Sequence, residues 1–386
     1  MVEINGTVAQ GFEKVADVFR SNFDEFPELG AGFALYADGE AKVDITAGVA
    51  DAASGSSWDD RTLQLVFSTT KGAAAICVAR LVDAGMLSYD DTVASHWPEF
   101  AAAGKENVTV RQMMSHQAGL PYVDQALSLD DLLAVGPVVE ALAAQPPVWE
   151  PGTKHGYHAL TYGWLAGELV RRVDGRTLGT YFADEVAAPL GLDFWIGLPE
   201  SEEARVSMLA AAPPPSDPAQ LVMMMQMMGP GTIGFKALTM NGSLLALGAA
   251  RNPFNTREVH ATEMPAANGI TNASSLAKMY AATVSDVDGV RLLSPEVMRA
   301  ASAQAVGGPD AVLDVETRFG MGFMLDNETV PLLGPNAFGH AGAGGSLGQA
   351  DPDSGVGYGY VMNQMLGGIA GDPRTVRLND AVRACL

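Results

Sequence analysis

The stretch VFSTTKG (residues 66–72) runs directly into the apolar segment AAAICVARLVDAGML, and this junction constrains the chain more than any other feature. Two strand-prone residues precede Ser68, and the helical pattern begins at that serine. In a helix that starts there, Ser68 and Lys71 are three residues apart and share one face. The helix N-terminus adds partial positive charge and unpaired N–H groups. The sequence therefore predicts a strand-to-helix junction that presents Ser68 beside Lys71.

This pair of side chains is suited to nucleophilic chemistry. A serine hydroxyl is a weak nucleophile until a neighbour takes its proton, and a lysine can do so when burial lowers its pKa. The spacing alone is not decisive, because Ser275 and Lys278 repeat it in NASSLAKMYAATV. In that copy we expect Ser275 to cap an ordinary amphipathic helix and Lys278 to be solvated.

Composition excludes several classes of protein. The 386 residues are 48% hydrophobic, enough for one large or two intimately packed domains with a sizeable core. A formal charge of -22 argues against nucleic acid or an anionic membrane as partner, and favours a neutral small-molecule substrate. Cys77 and Cys385 form no disulfide framework, and no metal-ligand spacing is present, so we expect neither metal nor cofactor. The start, MVEINGTVAQ, lacks signal-peptide character and no apolar run is long enough for a membrane span, so we expect a soluble, cytoplasmic protein.

The order of strand-like and helical segments predicts the fold class. A helical pattern at 9–23 precedes two strand-like segments around a turn at Asp38-Gly39, and residues 130–205 are mostly helical. After a helix at 274–284, the segments RFGMGFML, AFGHAGAGGS and VGYGYVMN read as strands before a final helix, TVRLNDAVRACL. Strands at both ends and helices in the middle indicate an α/β fold of the α+β type.

This order also predicts the domains. Residues 1–90 and 266–386 would form the α/β domain, 91–205 an inserted helical domain, and 206–265 a cap or insert rich in Met, Pro and Gly. The run MMMQMM (223–228) has two interpretations of equal weight, an adaptable apolar binding wall or a buried helix of the cap. Ser68 would lie where the domains meet, a usual place for a cleft.

Two further elements can complete the chemistry of Ser68 and Lys71. A hydrolase needs a second proton carrier, and the candidate is Tyr157, in the loop after Pro151-Gly152. Taken alone, that tyrosine would more simply be an amphipathic surface residue. An oxyanion needs backbone N–H donors, and the glycine-rich stretch 339–345 could bring the N–H of Ala343 beside that of Ser68.

A rival nucleophile is Ser346, because GGSLG satisfies G-x-S-x-G. That motif belongs to a fold in which the catalytic histidine follows the serine and the serine opens a helix. No histidine follows Ser346, and the next residues are QADPDSGVG. We interpret GGSLG as a glycine-rich turn.

The remaining candidates have equally simple structural roles. His116 would be a hydrogen-bonded residue at a turn, while His155 and His158 would line the entrance or simply be solvated. Tyr122 and Trp149 would line an acyl pocket or contribute only packing.

Taken in order, S-T-T-K, P-G-x(4)-Y and H-A-G resemble the serine β-lactamase and penicillin-binding-protein superfamily. The segments LSYDDTVASHWPEF and VTVRQMMSHQAGLP resemble further stretches of it, and the chain is most similar to the class C-like branch that contains the family VIII carboxylesterases. The resemblance implies a central antiparallel sheet flanked by helices and built from both termini. It implies Ser68 as nucleophile, Lys71 as its partner and Tyr157 as general acid or base. The segment His340-Ala341-Gly342 would occupy the substrate-binding K-T-G strand.

Two departures from that superfamily shape the expected activity. Its lactamases carry Tyr-x-Asn where this chain has Tyr157-His158-Ala159, and the K-T-G lysine is replaced by His340, a poorer carboxylate anchor. We therefore predict a serine esterase for short to medium uncharged acyl chains. A β-lactamase or D-aminopeptidase-type amide hydrolase and an acyltransferase remain alternatives. A non-catalytic acyl sensor would need neither Lys71 nor Tyr157. Natural substrate, oligomeric state and the identity of the base stay open.

Overall fold

The computed structural model describes residues 2–214, 217–245, 252–368 and 371–386. Its strands, in chain order, are β1 (Ile4–Val8), β2 (Gly30–Ala37), β3 (Glu40–Asp51), β4 (Ser56–Ser57), β5 (Gln64–Leu65), β6 (Phe194–Trp195), β7 (Ile270–Thr271), β8 (Val306–Pro309), β9 (Glu316–Phe319), β10 (Met324–Leu325), β11 (Phe338–Ala341), β12 (Leu347–Asp351) and β13 (Val356–Met362). Ten of them form one antiparallel sheet in the order β1-β3-β2-β13-β12-β11-β10-β9-β8, with β4 paired to β3. A small sheet, β5-β7-β6, lies apart.

The described α-helices flank this sheet and fill the middle of the chain. They are α1 (Glu13–Glu25), α2 (Thr70–Asp83), α3 (Val93–His96), α4 (Val110–Met114), α5 (Leu129–Leu133), α6 (Gly136–Ala144), α7 (Thr161–Asp174), α8 (Leu178–Phe182), α9 (Ala188–Leu190), α10 (Pro218–Met228), α11 (Ile233–Thr239), α12 (Arg257–Ala261), α13 (Ala273–Val284), α14 (Pro295–Ser302) and α15 (Pro373–Arg383). Short 3-10 turns lie at Pro98–Gly104, Glu200–Arg205 and Pro253–Asn255. Among the described helices none is both long and apolar enough to cross a bilayer.

The alternation of residues in β13 explains how helices cover both faces of the sheet. Side chains of a strand point to opposite faces in turn, so VGYGYVM places tyrosines on one face and glycines on the other. Tyr358 and Tyr360 are buried in the core that includes α1 and α15. On the opposite face α13 packs so closely that a Cβ at Gly357 would overlap the backbone N of Ala281. The central strand is thus buried on both faces.

These features confirm the fold class predicted from the sequence, with an antiparallel sheet whose strands come from both ends of the chain. The turn between β2 and β3 lies at Asp38-Gly39, where both residues have positive φ (51° and 79°). The helix predicted at 274–284 is α13. Strand β12 was not predicted, because its sequence LGQAD carries two polar residues that the structure buries. The division into three domains stays a prediction.

The methionine-rich segment forms α10, whose described side chains are largely exposed. Leu221, Val222, Met224 and Met225 each expose between 39% and 57% of their surface, so for them the interpretation as a buried helix is wrong. The side chain of Met223 lies outside the described residues. The interpretation of this run as an apolar binding wall stays a prediction.

Candidate active site

Ser68 lies in a tight turn immediately before α2, which begins at Thr70 rather than at the serine as predicted. Its neighbours make hydrogen bonds from residue i+3 to residue i, including Lys71 N to Ser68 O (2.9 Å). Phe67 has φ = 45°, a left-handed conformation that L residues rarely adopt. This bend ends the strand-like lead-in and starts the turn in one step. Since three residues make one turn here, the predicted pairing of Ser68 with Lys71 survives the later helix start.

Lys71 is completely buried and its ammonium nitrogen has three partners. Nζ lies 3.1 Å from Ser68 Oγ and donates to the carbonyl oxygens of Ala159 (2.6 Å) and Ala266 (3.0 Å). Burial lowers the pKa of Lys71 well below 10.5. Two carbonyls therefore fix two N–H directions, and a further tetrahedral direction of Nζ is aimed at Ser68.

Tyr157 is brought to the same point from the loop before α7. It is 2% exposed, so its interpretation as a surface tyrosine is wrong. The Nζ of Lys71 lies 4.8 Å from the centre of the Tyr157 ring. Burial raises the pKa of the phenol, while a hydrogen bond with Ser68 opposes that rise. Ser68, Lys71 and Tyr157 thus form one cluster, as predicted from their separate motifs.

The end of β11 lies against the turn that carries Ser68. A Cβ at Gly342 would overlap the carbonyl oxygen of Val66 and lie 2.8 Å from Thr69 Oγ1. Glycine is needed at this position because a side chain would collide with these two atoms. Both atoms belong to residues that flank Ser68. Ala343, whose N–H was predicted to pair with that of Ser68, is the next residue along the chain.

His340 points into this cluster from β11 and is uncharged. Its ring centre is 6.0 Å from that of Tyr157, and its Nδ1 donates to the carbonyl oxygen of Ala341 (2.7 Å). Burial, helped by the charge of Lys71, lowers the pKa of His340 to about 3. Its Nε2 is buried and has no hydrogen-bond partner in the described part of the chain. His340 therefore presents a neutral acceptor to the cluster, and its place at the K-T-G lysine position stays a prediction.

Comparison with known proteins agrees with this geometry: residues 19–381 match the family model described as Beta-lactamase. The chain belongs to the β-lactamase family. It is 35% identical to the esterase/beta-lactamase LipL of Mycobacterium tuberculosis over 371 residues, which cover 94% of this chain and 83% of that protein. It superimposes over its whole length on the crystal structure of a family VIII carboxylesterase, at 40% identity and a TM-score of 0.89. A penicillin-binding-protein homolog from Caulobacter crescentus also matches in full, at 40% identity and a TM-score of 0.87. The predicted resemblance is confirmed, and the chain is a hydrolase of the serine β-lactamase superfamily.

Within this β-lactamase-family site, the contacts of Ser346 indicate a structural role. Its Oγ is buried, donates to the carbonyl oxygen of Val66 (2.9 Å) and lies 3.1 Å from Thr69 Oγ1. Strand β12 follows it, whereas a nucleophile elbow would open a helix. The interpretation of GGSLG as a turn holds only for Gly344 and Gly345, since Leu347 and Gly348 belong to β12.

The histidines around Tyr157 are buried, so the expectation that His155 and His158 line the entrance or are solvated is wrong. His158 Nδ1 donates to the carbonyl oxygen of Gly156 (2.7 Å), and its Nε2 accepts the N–H of Leu120 (2.9 Å). Burial lowers its pKa to about 4. His116 lies at a turn with φ = 64° and accepts the N–H of His158 (3.1 Å), as expected for a hydrogen-bonded turn residue.

The two predicted pocket residues have packing partners near the Tyr157 loop. The ring of Trp149 lies 6.1 Å from that of His158, and the N–H of Val148 donates to Gly119. Tyr122 is almost buried, with Lys236 Nζ 4.7 Å from its ring centre. Within the described residues neither side chain makes a hydrogen bond to Ser68, so their role in an acyl pocket stays a prediction.

The second S-x-x-K stretch differs from the first in every contact. The cap of α13 is Asn272, which accepts the N–H of Ser275, so the expectation that Ser275 caps the helix is wrong. Lys278 donates to the carbonyl oxygen of Leu190 (2.8 Å) and pairs with Asp288 (2.7 Å), so it is only partly solvated. Lys71 thus contacts the serine of its own stretch, whereas the partners found for Lys278 are Leu190 and Asp288.

Sequence reasoning missed the residues that hold these groups in place. The carbonyls of Ala159 and Ala266 orient Lys71, and Asp310 accepts the N–H of Tyr157 (3.0 Å). Arg374 Nη2 donates to the carbonyl oxygen of Gly344 (2.5 Å), beside the predicted oxyanion donor. Backbone carbonyls carry no sequence signal. The sequence Asp372-Pro373-Arg374 is typical of an ordinary helix start, so it did not indicate a role for Arg374 in the site.

Proposed function

We propose that this protein is a serine carboxylesterase that hydrolyses short to medium chain esters through an acyl-serine intermediate. The observation that carries the proposal is the contact between Lys71 Nζ and Ser68 Oγ (3.1 Å) inside a buried site. Two backbone carbonyls hold that nitrogen, and burial favours its uncharged form. An uncharged amine with two N–H bonds to carbonyls has its lone pair free for the proton of Ser68.

In the acylation step, Ser68 Oγ forms a bond to the ester carbonyl carbon while its proton passes to the pair formed by Lys71 and Tyr157. The carbonyl oxygen becomes an oxyanion, which the N–H groups of Ser68 and Ala343 bind. Collapse of this intermediate breaks the bond to the alcohol oxygen. Tyr157 gives that oxygen a proton and regains one from Lys71, so the pair ends the step in its starting state, with the proton of Ser68 transferred to the alcohol.

In the deacylation step, water replaces the alcohol. The same pair takes a proton from the water as its oxygen attacks the acyl carbon, and Ser68 Oγ leaves with a proton. Lys71 and Tyr157 each make a hydrogen bond with Ser68, so we treat their titration as a property of the pair rather than of either residue.

The polarity of the site supports an uncharged ester. His340 is neutral, and the lactamase Asn of Tyr-x-Asn is Ala159 here, which offers no side-chain amide. A similar protein, LipL, has esterase in its name, and a similar solved structure is a family VIII carboxylesterase. No cofactor enters any step. These features favour esters over amides with a carboxylate.

One observation favours amide hydrolysis of a carboxylate-bearing substrate as the second candidate. This activity needs a cation near the acyl group, and Lys236 Nζ lies over Tyr122, a predicted pocket residue. Within the described chain no carboxylate forms an ion pair with Lys236. Nitrocefin turnover that falls in Lys236→Gln, while p-nitrophenyl butyrate turnover does not, would support this candidate.

Intact-protein mass spectrometry after brief mixing with p-nitrophenyl butyrate tests the main proposal. Wild type, Ser68→Ala and Ser346→Ala would be compared, with p-nitrophenol release followed in parallel. We expect an acyl mass increment and turnover that disappear only in Ser68→Ala. An increment that survives in Ser68→Ala, or one that disappears only in Ser346→Ala, would overturn the assignment of the nucleophile.

A further inference from the structure

The carboxylate of Asp310 lies in the turn between β8 and β9 and is completely buried. Its Oδ1 accepts the N–H groups of Val312 (2.9 Å) and Leu313 (3.0 Å), which is an ordinary way for an aspartate to stabilise its own turn. The same oxygen also accepts the N–H of Tyr157 (3.0 Å), a residue 153 positions earlier. This third bond has no role within the turn, so it connects the turn to the active site.

The second oxygen of Asp310 extends the connection. Oδ2 accepts the hydroxyl of Thr317 (3.2 Å), and His155 Nε2 lies 3.9 Å away. That histidine is itself 2.8 Å from Thr317 Oγ1. Burying a carboxylate costs free energy unless donors surround it, and four donors do so here. Two of the four, the N–H of Tyr157 and the Thr317 hydroxyl, lie outside the turn that Asp310 caps.

The β8–β9 hairpin also holds the Tyr157 segment in three other ways. The N–H of Ala311 donates to the carbonyl oxygen of His155 (3.1 Å), so residues 155–157 run alongside the turn. A Cβ at Gly156 would lie 2.9 Å from a methyl group of Val312, which leaves no room for a side chain there. From β9, the ring of Phe319 stacks on Tyr157, with centres 6.0 Å apart and planes 11° apart.

We propose that Asp310 is the positioning residue for Tyr157: it binds the backbone of the tyrosine so that the phenol is held against Ser68. The inference rests on the proposed function, in which Tyr157 carries a proton. Asp310 touches neither substrate nor reacting atoms in this assignment. Its effect on catalysis passes through the geometry of one side chain, and misplacement by about 1 Å can lower a rate by about 100-fold.

The test compares Asp310→Ala and Asp310→Asn with Asp351→Ala, using p-nitrophenyl butyrate. Asp351 is a matched control, because it is also a buried aspartate at a hairpin turn, and its hydrogen bonds to Asp353 and Ser354 stay within that hairpin. We expect Asp310→Ala to lower kcat by about 100-fold with KM nearly unchanged. The amide oxygen of Asp310→Asn accepts the same N–H groups, so we expect kcat to recover to within about 5-fold of wild type. Asp351→Ala should retain kcat within about 2-fold despite a similar loss of stability.

Tyr157→Phe and the double variant with Asp310→Ala separate the two levels of the proposal. If Asp310 acts through the phenol, Asp310→Ala will lower kcat by less than about 2-fold further once the phenol is gone. Wild-type activity in Tyr157→Phe would refute the proton role of Tyr157 and hence the proposed mechanism. An inactive Tyr157→Phe beside a fully active Asp310→Ala would refute the positioning role alone, as would equal losses in Asp310→Ala and Asp351→Ala.

Should Asp310→Ala fail to fold, Gly156→Ala provides the second variant. Its added methyl group pushes the Tyr157 segment away from Val312 and Trp149 without removing the carboxylate. The inference predicts the same fall in kcat at constant KM, and unchanged kcat in a folded Gly156→Ala would overturn it.

Discussion

The hydroxyl of Ser346 donates a hydrogen bond to the carbonyl oxygen of Val66 (2.9 Å), which lies 280 positions earlier and two residues before Ser68. This bond joins the start of β12 to the turn that presents the nucleophile. Thr69, on the other side of Ser68, contacts the same hydroxyl (3.1 Å). The rival motif GGSLG thus serves to hold the predicted nucleophile in position.

Removal of this hydroxyl should lower stability without removing the chemistry. In Ser346→Ala the carbonyl of Val66 keeps the N–H of Thr69 but loses its side-chain donor, and we expect the free energy of unfolding to fall by about 0.5–1.5 kcal/mol. Urea denaturation would measure this loss, with Ser354→Ala as a control, because that serine bonds only within its hairpin. A loss in Ser346→Ala no larger than in the control would contradict the structural role.

The close approach of β11 to the Ser68 turn makes Gly342 intolerant of a side chain. In Gly342→Ala the new methyl group overlaps the carbonyl oxygen of Val66, so the strand end or the turn must move. We expect kcat/KM for p-nitrophenyl butyrate to fall by about 100-fold. Gly334→Ala is the control, since its Cβ would have no neighbour closer than 3.6 Å, and it should behave as wild type. Equal activity in both variants would show that the contact is dispensable.

The left-handed conformation of Phe67 should reverse the usual order of stability, in which an alanine variant is more stable than a glycine variant. An L residue there costs roughly 1–2 kcal/mol, which glycine avoids. Both variants lose the side chain that packs on Phe254, so their difference isolates the backbone. We expect Phe67→Gly to be more stable than Phe67→Ala by about 1 kcal/mol in urea denaturation.

Cys77, inside α2, provides the matched comparison for that pair. It is buried in a regular helix, where glycine is less stable than alanine by about 1 kcal/mol. The order of the two variants should therefore be opposite at positions 67 and 77. The same order at both positions would refute backbone strain at Phe67.

Burial of Lys71 should make stability depend on pH. Its pKa in the folded protein lies well below the ordinary value of 10.5, so between these two values the unfolded chain binds more protons. The contribution of this group to stability is complete above pH 10.5. It is lost as the pH falls through the pKa that Lys71 has in the folded protein. Relative to Lys71→Met, the wild type should gain stability as the pH rises toward 10.5, by up to about 1.4 kcal/mol per pH unit.

Urea denaturation across this pH range checks the prediction. Lys278→Met, in the other S-x-x-K stretch, is the control and should keep the slope of the wild type because it leaves Lys71 in place. Parallel curves for wild type and Lys71→Met would contradict a lowered pKa at position 71.

Much of the fold and site was predictable because it depends on local patterns. The turn at Asp38-Gly39 and helix α13 follow from residue preferences and from periods of 2 and 3.6, whereas the antiparallel sheet was implied by the resemblance to a known superfamily. The start of α2 was misplaced by two residues, since a sequence pattern does not reveal the bend at Phe67. Burial of His155 and His158 was missed for a different reason. Polar side chains look solvated until the partners that satisfy them are known.

The sequence by itself determined that Ser68 and Lys71 lie together. They are three residues apart, about one turn of the chain, so their contact needs no distant partner. Tertiary structure alone decided the rest of the site. Tyr157 contacts Ser68 through tertiary packing, in which Asp310, 153 positions later, accepts the backbone N–H of the tyrosine, and Ser346 reaches Val66 across 280 positions of the chain. Local periodicity specifies which face of an element is buried, whereas the partner on that face is chosen by how the sheet and helices pack.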